Sequence, residues 1–185
     1  MRLLLLLSKI QKVDRRYIFL GIFLAVAVPF FIPVEFAAKP GAETRRFDNE
    51  LAVIMQKEKP ILIDIDFGPQ TMAEMEPMLR GVLDRVFASR QKVVFLTFMT
   101  EAASPVREYL VEMEKKYNLR YGSDYVFLGY ASAYAYTMNG LGKSFKAYFH
   151  SDDRGTPIER LPLMQGVRSL KDIGGIINIA SNSFP

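Results

Sequence analysis

The sequence predicts an α/β protein: one membrane-spanning helix, then a single domain on a mostly parallel sheet. Three observations lead there. Tyr17 to Val34 is an uncharged, strongly apolar run. Behind it, four short runs rich in β-branched residues alternate with helical patterns, the signature of βαβ units. The strand runs are apolar enough to predict a sheet covered on both faces.

The first 16 residues form a basic head. Arg2, Lys9, Lys12, Arg15 and Arg16 stand against Asp14 alone. Leu3 to Leu7, Ile10 and Val13 read either as a short amphipathic helix on the membrane surface or as a leucine-rich start. Residues 17–36 form the predicted span. Eighteen residues at 1.5 Å each reach roughly 27 Å, close to the ~30 Å hydrocarbon core. Pro29 and Pro33 kink or finish that helix. The basic flank keeps the N-terminus cytoplasmic in the plasma (inner) membrane and sends the rest outside. A cleaved signal peptide is the rival reading, but the head is long and Phe36-Ala37-Ala38 is a poor cleavage site. Residues 37–43, with Lys39-Pro40-Gly41-Ala42, form a linker. Residues 44–185 form the domain.

Within the domain, Phe47, Leu51, Ile54 and Met55 give Thr44 to Lys57 one apolar helical face. Ile61 to Phe67 is the first strand. Thr71-Met72-Ala73-Glu74 reads as a capping box. It opens a helix to about Ser89, with Met75, Met78, Leu79, Val82, Leu83 and Val86 inward. Lys92 to Phe98 is the second strand. Ser104-Pro105 places an N-cap before a helix from Val106 to about Tyr117. Tyr125 to Leu128 is the third strand, and a helix of small residues and tyrosines follows Gly129 to Met138. A short segment covers Phe145 to Phe149, and Ser169 to Ile173 makes a helical turn. Ile176 to Ala180 is the fourth strand. Right-handed crossovers make this a Rossmann-like three-layer α/β/α sandwich; the strand order stays open. A covering helix normally follows such a strand. The expectation is either an unusually small sheet or a truncated piece of a longer protein.

The formal net charge is +4, and the head carries all of it, leaving nineteen bases and nineteen acids elsewhere. The basic balance therefore reflects topology, and nucleic acid is not an expected partner. There is no cysteine, which excludes disulfides, thiolate catalysis and cysteine-based zinc sites. One histidine, His150, excludes a two-histidine metal site and reads as a surface or structural residue.

Four stretches form a pattern: Asp66 to Thr71, Asp124 to Tyr130, Gly155-Thr156-Pro157 and Leu163 to Asp172. In them the chain resembles a family of uncharacterised bacterial proteins. These are anchored by one N-terminal membrane helix and carry a Rossmann-like domain. The resemblance implies a membrane address and further α/β units, and no activity.

In a parallel α/β sheet, ligands bind at the carboxyl ends of the strands. The residues expected there are Asp66, Gly68 and Gln70, then Thr97, Thr100 and Glu101, then Gly129, Tyr130 and Ser132, and finally Ser181 and Asn182. Asp64-Ile65-Asp66 resembles the D-x-D of haloacid-dehalogenase-like phosphatases, which implies a nucleophile, a general acid/base and Mg²⁺. Thr97 imitates that group's second motif, Asp152-Asp153 its acidic pair, and Lys143 or Lys146 its lysine. Gly68 stands where its threonine is expected. The alternative role for Asp64 and Asp66 is a hydrogen-bonded pair at a strand end. Gly129 to Ala133 reads as close helix packing or, alternatively, an anion-holding helix start. Tyr130, Tyr134 and Met138 read as a core stripe or, alternatively, a partner surface. The leading expectation is a membrane-tethered binding or scaffold module for a protein partner, a second copy or a small ligand, with no cofactor. One alternative is a Mg²⁺-dependent phosphohydrolase. The other is a structural subunit of a membrane complex, using the small residues Gly21, Ala25 and Ala27 for helix contacts.

Overall fold

The computed structural model describes residues 14–31 and 40–181. The chain divides into two units, residues 1–43 and 44–185. In the first, helix α1 (Arg15–Phe31) contains the uncharged stretch from Tyr17 onward and accommodates Pro29. Its large apolar side chains, Tyr17, Phe19, Phe23, Val26 and Phe31 among them, are exposed. Among the described residues, no helix is long and apolar enough to cross a membrane. The helix has 17 residues and begins with two arginines. The rest of the predicted run, Ile32 to Val34, most of the basic head and residues 37–39 of the linker lie outside the described residues.

In the second unit, α2 (Ala42–Met55) leads into β1 (Ile61–Asp66). The order continues α3 (Met72–Ala88), β2 (Val93–Thr97), α4 (Ala103–Tyr117), β3 (Tyr125–Tyr130), α5 (Tyr134–Leu141), α6 (Phe145–Tyr148) and β4 (Gly175–Ala180). Short 3₁₀ turns fill the long connection from α6 to β4, at Ile158–Arg160, Pro162–Gly166 and Leu170–Asp172. The four strands are parallel and lie in the order β3-β2-β1-β4. The predicted α/β class and parallel sheet are thus present. The chain builds outward from β1 to β3, then returns to place β4 on the other side of β1.

Side chains alternate across each strand, so the two sheet faces sort by parity. Ile61, Ile63, Ile65, Phe95 and Phe127 pack with Leu79, Leu83 and Phe87 of α3 and Val106 and Leu110 of α4. Leu62, Val94, Leu96 and Val126 pack on the opposite side with Leu141 of α5, Phe145 of α6 and Leu161, Leu163 and Met164 of the turns. This second cover stops short of β4, where Ile176 is 44% exposed. Asp64 and Asp66 belong to the same parity as Leu62.

Several local expectations are corrected. Thr71 makes no side-chain cap: its backbone is not extended (φ −111°, ψ 3°), and its hydroxyl donates instead to the Gly68 carbonyl at 3.4 Å. Met78 faces outward, and Phe87 takes a place in the core. Helix α4 begins before Ser104, because a 3₁₀ turn at Thr100–Ala102 runs straight into it. Pro105 is tolerated there, since the first-turn amides have no partner within a helix. Strand β3 continues through Gly129 to Tyr130, so Tyr130 is an exposed strand end and no part of a helical stripe. Helix α5 starts only at Tyr134, after Ala133 in the left-handed region (φ 53°). The Ala131 amide is already bonded to the Thr97 carbonyl at 2.8 Å. The reading of 129–133 as an anion-holding helix start therefore fails.

Candidate functional site

Strand order makes the carboxyl end of β1 the natural site. The crossovers from β1 and β2 run over one face and the connection from β3 to β4 over the other, so the order reverses between β1 and β4, the kind of switch point at which open α/β sheets open a crevice. Asp66 pairs with Ala180 in register, and Asp64 pairs with Asn178. The Ser181 amide donates to the Asp66 carbonyl at 3.1 Å. Asn182 lies outside the described residues.

The side chains on this stretch form one connected set. Asp66 Oδ1 accepts the Phe98 amide at 2.6 Å and the Thr97 hydroxyl at 3.0 Å. The same hydroxyl lies 3.1 Å from the Met99 carbonyl and accepts the Met99 amide at 3.1 Å. A shift in register between β2 and β3 at Phe95/Thr97 accompanies this turn of the chain. Asp64 Oδ2 accepts the Asn178 side-chain amide at 2.8 Å. Both carboxyl groups are 1% exposed. Among the described residues, Asp64 Oδ1 and Asp66 Oδ2 are buried and have no hydrogen-bond partner.

Two adjacent buried carboxyls cannot both ionise cheaply. Burial pushes Asp64 up to about 8, and the neighbouring Asp66 charge and a hydrogen bond shared with Asp66 add to the rise; the Asn178 amide opposes it. Burial raises Asp66 as well, against the amide of Phe98 and the hydroxyl of Thr97, which stabilise its charged form. With its carboxyl pushed up to about 8, Asp64 keeps its proton at neutral pH. A single proton between them supplies the donor that both orphan oxygens lack.

The same pair is a poor seat for Mg²⁺. That ion keeps several waters and near-octahedral geometry, and is held through one or two carboxylates. Two carboxyls this deeply buried leave no place for those waters. Among the described residues, no group of three acidic or histidine side chains is placed to hold a metal. The arrangement fits a shared proton better than a hydrated cation.

The other predicted residues divide. Gly68 and Gln70 lie on the β1–α3 loop beside the pair. A Cβ on Gly68 would sit 3.1 Å from Gln70 Oε1 and 3.3 Å from Glu101 Cγ, so glycine allows these chains to converge. Thr100 is exposed and bonds Glu101 at 3.0 Å. Gly129 turns at φ 87° against Asp153. Tyr130 and Ser132 are exposed beyond β3. Asp152 and Asp153 do not join Asp64 and Asp66. Asp152 accepts the Tyr121 hydroxyl at 2.7 Å and the amides of Arg154 and Thr156, closing its own loop. Asp153 takes a two-pronged bond from Arg107, at 2.6 and 2.8 Å. Lys146 pairs with Glu159. His150 is exposed.

Sequence reading missed Asn178 as a site residue. A polar side chain between Ile177 and Ile179 in β4, a strand of the same length as β1, was the available signal; only the register turns it into a partner of Asp64. No family model, no curated protein and no solved structure matches the chain. The geometry therefore carries the functional argument.

Proposed function

We propose that this chain is a membrane-tethered α/β binding module that engages a protein partner or small ligand at the carboxyl end of β1. The observation that carries the reading is the Asp64–Asp66 pair at the switch point: two buried carboxyls beside the β1–α3 loop, with no accompanying catalytic set among the described residues. Asp66 is the positioning carboxylate. Gly68 and Gln70 form the approach, and Thr97 holds Asp66 in place. The D-x-D phosphohydrolase is the weaker reading, because Asp152, Asp153 and Lys146, which would complete it, are engaged elsewhere.

The tether rests on α1. A helix apolar on all sides belongs inside a large core or in lipid, and the apolar run of the sequence continues past Phe31. The same address agrees with the membrane-anchored bacterial proteins that the chain resembles. With the N-terminus cytoplasmic, the α/β domain sits outside the inner membrane.

Both parts are open to test on the full chain. It is expected to stay in the membrane pellet after alkaline carbonate and to dissolve only with detergent; release into buffer with an intact N-terminus contradicts the tether. Because the chain has no cysteine, Lys115→Cys gives a single reporter on an exposed helix position. An impermeant maleimide added to intact cells should label it. Labelling only after lysis would reverse the proposed orientation.

A further inference from the structure

A second feature lies away from the carboxyl pair. Between the end of α5 and the 3₁₀ turns is a cavity of about 550 Å³. That is within the ~300–1,000 Å³ range of small-molecule sites. Its floor is apolar, formed by the buried side chains of Ile158, Met164 and Val167. Its rim is cationic, formed by Lys143, Lys146 and Arg168. One acid, Glu159, faces them and is taken by Lys146.

Lys143 and Arg168 meet no carboxylate within ion-pair distance among the described residues. Asp172 lies in the field of Arg168, but its carboxylate is held by the amides of Arg168 and Ser169, both at 2.9 Å. The outer part of the chain is neutral as a whole, so two unneutralised bases converging over an apolar floor are a local feature. The cavity walls are fixed to each other: the Phe145 amide donates to the Arg168 carbonyl at 2.8 Å. Ser144 accepts the Ala147 amide at 3.3 Å, which sets the Lys143–Lys146 turn.

We propose that this cavity binds a small organic anion, a phosphate or phosphonate head on an apolar body. The head bridges Lys143 and Arg168, whose guanidinium offers a two-pronged contact to its oxygens. The body lies on Ile158, Met164 and Val167. Lys146 stays with Glu159 or exchanges it for the ligand.

The test uses the full chain in phosphatidylcholine nanodiscs, with phenylphosphonate as probe, followed by equilibrium dialysis. A phosphonate has no ester bond to hydrolyse, so the readout is independent of any phosphatase activity. Saturable binding is expected, and inorganic phosphate should bind about tenfold more weakly for want of the apolar contact. Lys143→Glu combined with Arg168→Glu should weaken the probe at least about tenfold, whereas Lys115→Glu should leave it unchanged. Both positions of the double variant are exposed, and an unchanged Tm confirms that the fold is kept. Repeating the titration with phosphatidylglycerol in the nanodisc separates the sources: competition identifies a lipid headgroup as occupant, and its absence a soluble anion. No saturation by ~10 mM probe, or equal binding by wild type and the double variant, overturns the proposal.

Discussion

Asp64 is where the chemistry of this chain is most unusual. A carboxyl raised from the ordinary 3.8 to about 8 holds its proton in the folded state while the unfolded chain has already lost it. The native state therefore binds more protons between those values, and stability falls as pH rises through that window. The contribution is complete below pH 4 and is lost as pH passes 8. Asp64→Asn keeps the shape, can donate to Asp66 in place of the proton, and does not titrate. Urea unfolding should show the variant close to wild type at pH 5. At pH 9 it should be more stable, by on the order of 1–3 kcal/mol. A wild-type minus variant difference that stays flat from pH 5 to pH 9 would remove the shared proton. Asp66→Ala goes the other way at every pH. It strands the Phe98 amide and the Thr97 hydroxyl and should cost about 2–4 kcal/mol in the same experiment.

Elements show how far residues alone could be read. The four strands and the helices between them follow from runs of apolar residues, whose spacing is a property of the local chain. Their ends do not. Thr71-Met72-Ala73-Glu74 has the composition of a capping box, yet the Gly68–Thr71 turn takes the threonine hydroxyl and leaves the cap unmade. Ser169 and Asp172, unremarked as a motif, do form one. Gly129 reads as a strand stop, but its positive φ lets β3 pass the Asp153 loop and continue to Tyr130. Such outcomes depend on what lies across the fold. Gly129→Ala places a Cβ in the left-handed region and 3.3 Å from Asp153 Oδ1. It should destabilise by about 1–2 kcal/mol, lowering Tm by a few degrees in calorimetry. An unchanged Tm would mean that this segment relaxes freely.

At the scale of the molecule, the site was half visible. Asp64, Asp66 and Thr97 stand out as polar residues ending apolar strands. Their meeting with Asn178, 114 positions beyond Asp64, depends on β4 returning beside β1 in parallel register. No local pattern encodes that return. It also fixes which edge of the domain can act: the β1–α3 loop opens at the carboxyl end, while the C-terminal end of α4, with Lys115, belongs to the opposite edge. A module that binds through the pair must use the first and not the second. Photo-crosslinking in cells tests this most directly, with a benzophenone amino acid placed at Gln70 or at Lys115 of the full chain. A discrete crosslinked species from position 70 that weakens with Asp66→Ala, and none from position 115, is the expected result. Equal yields from both positions, or a position-70 product indifferent to Asp66, would contradict binding at the carboxyl end of the sheet.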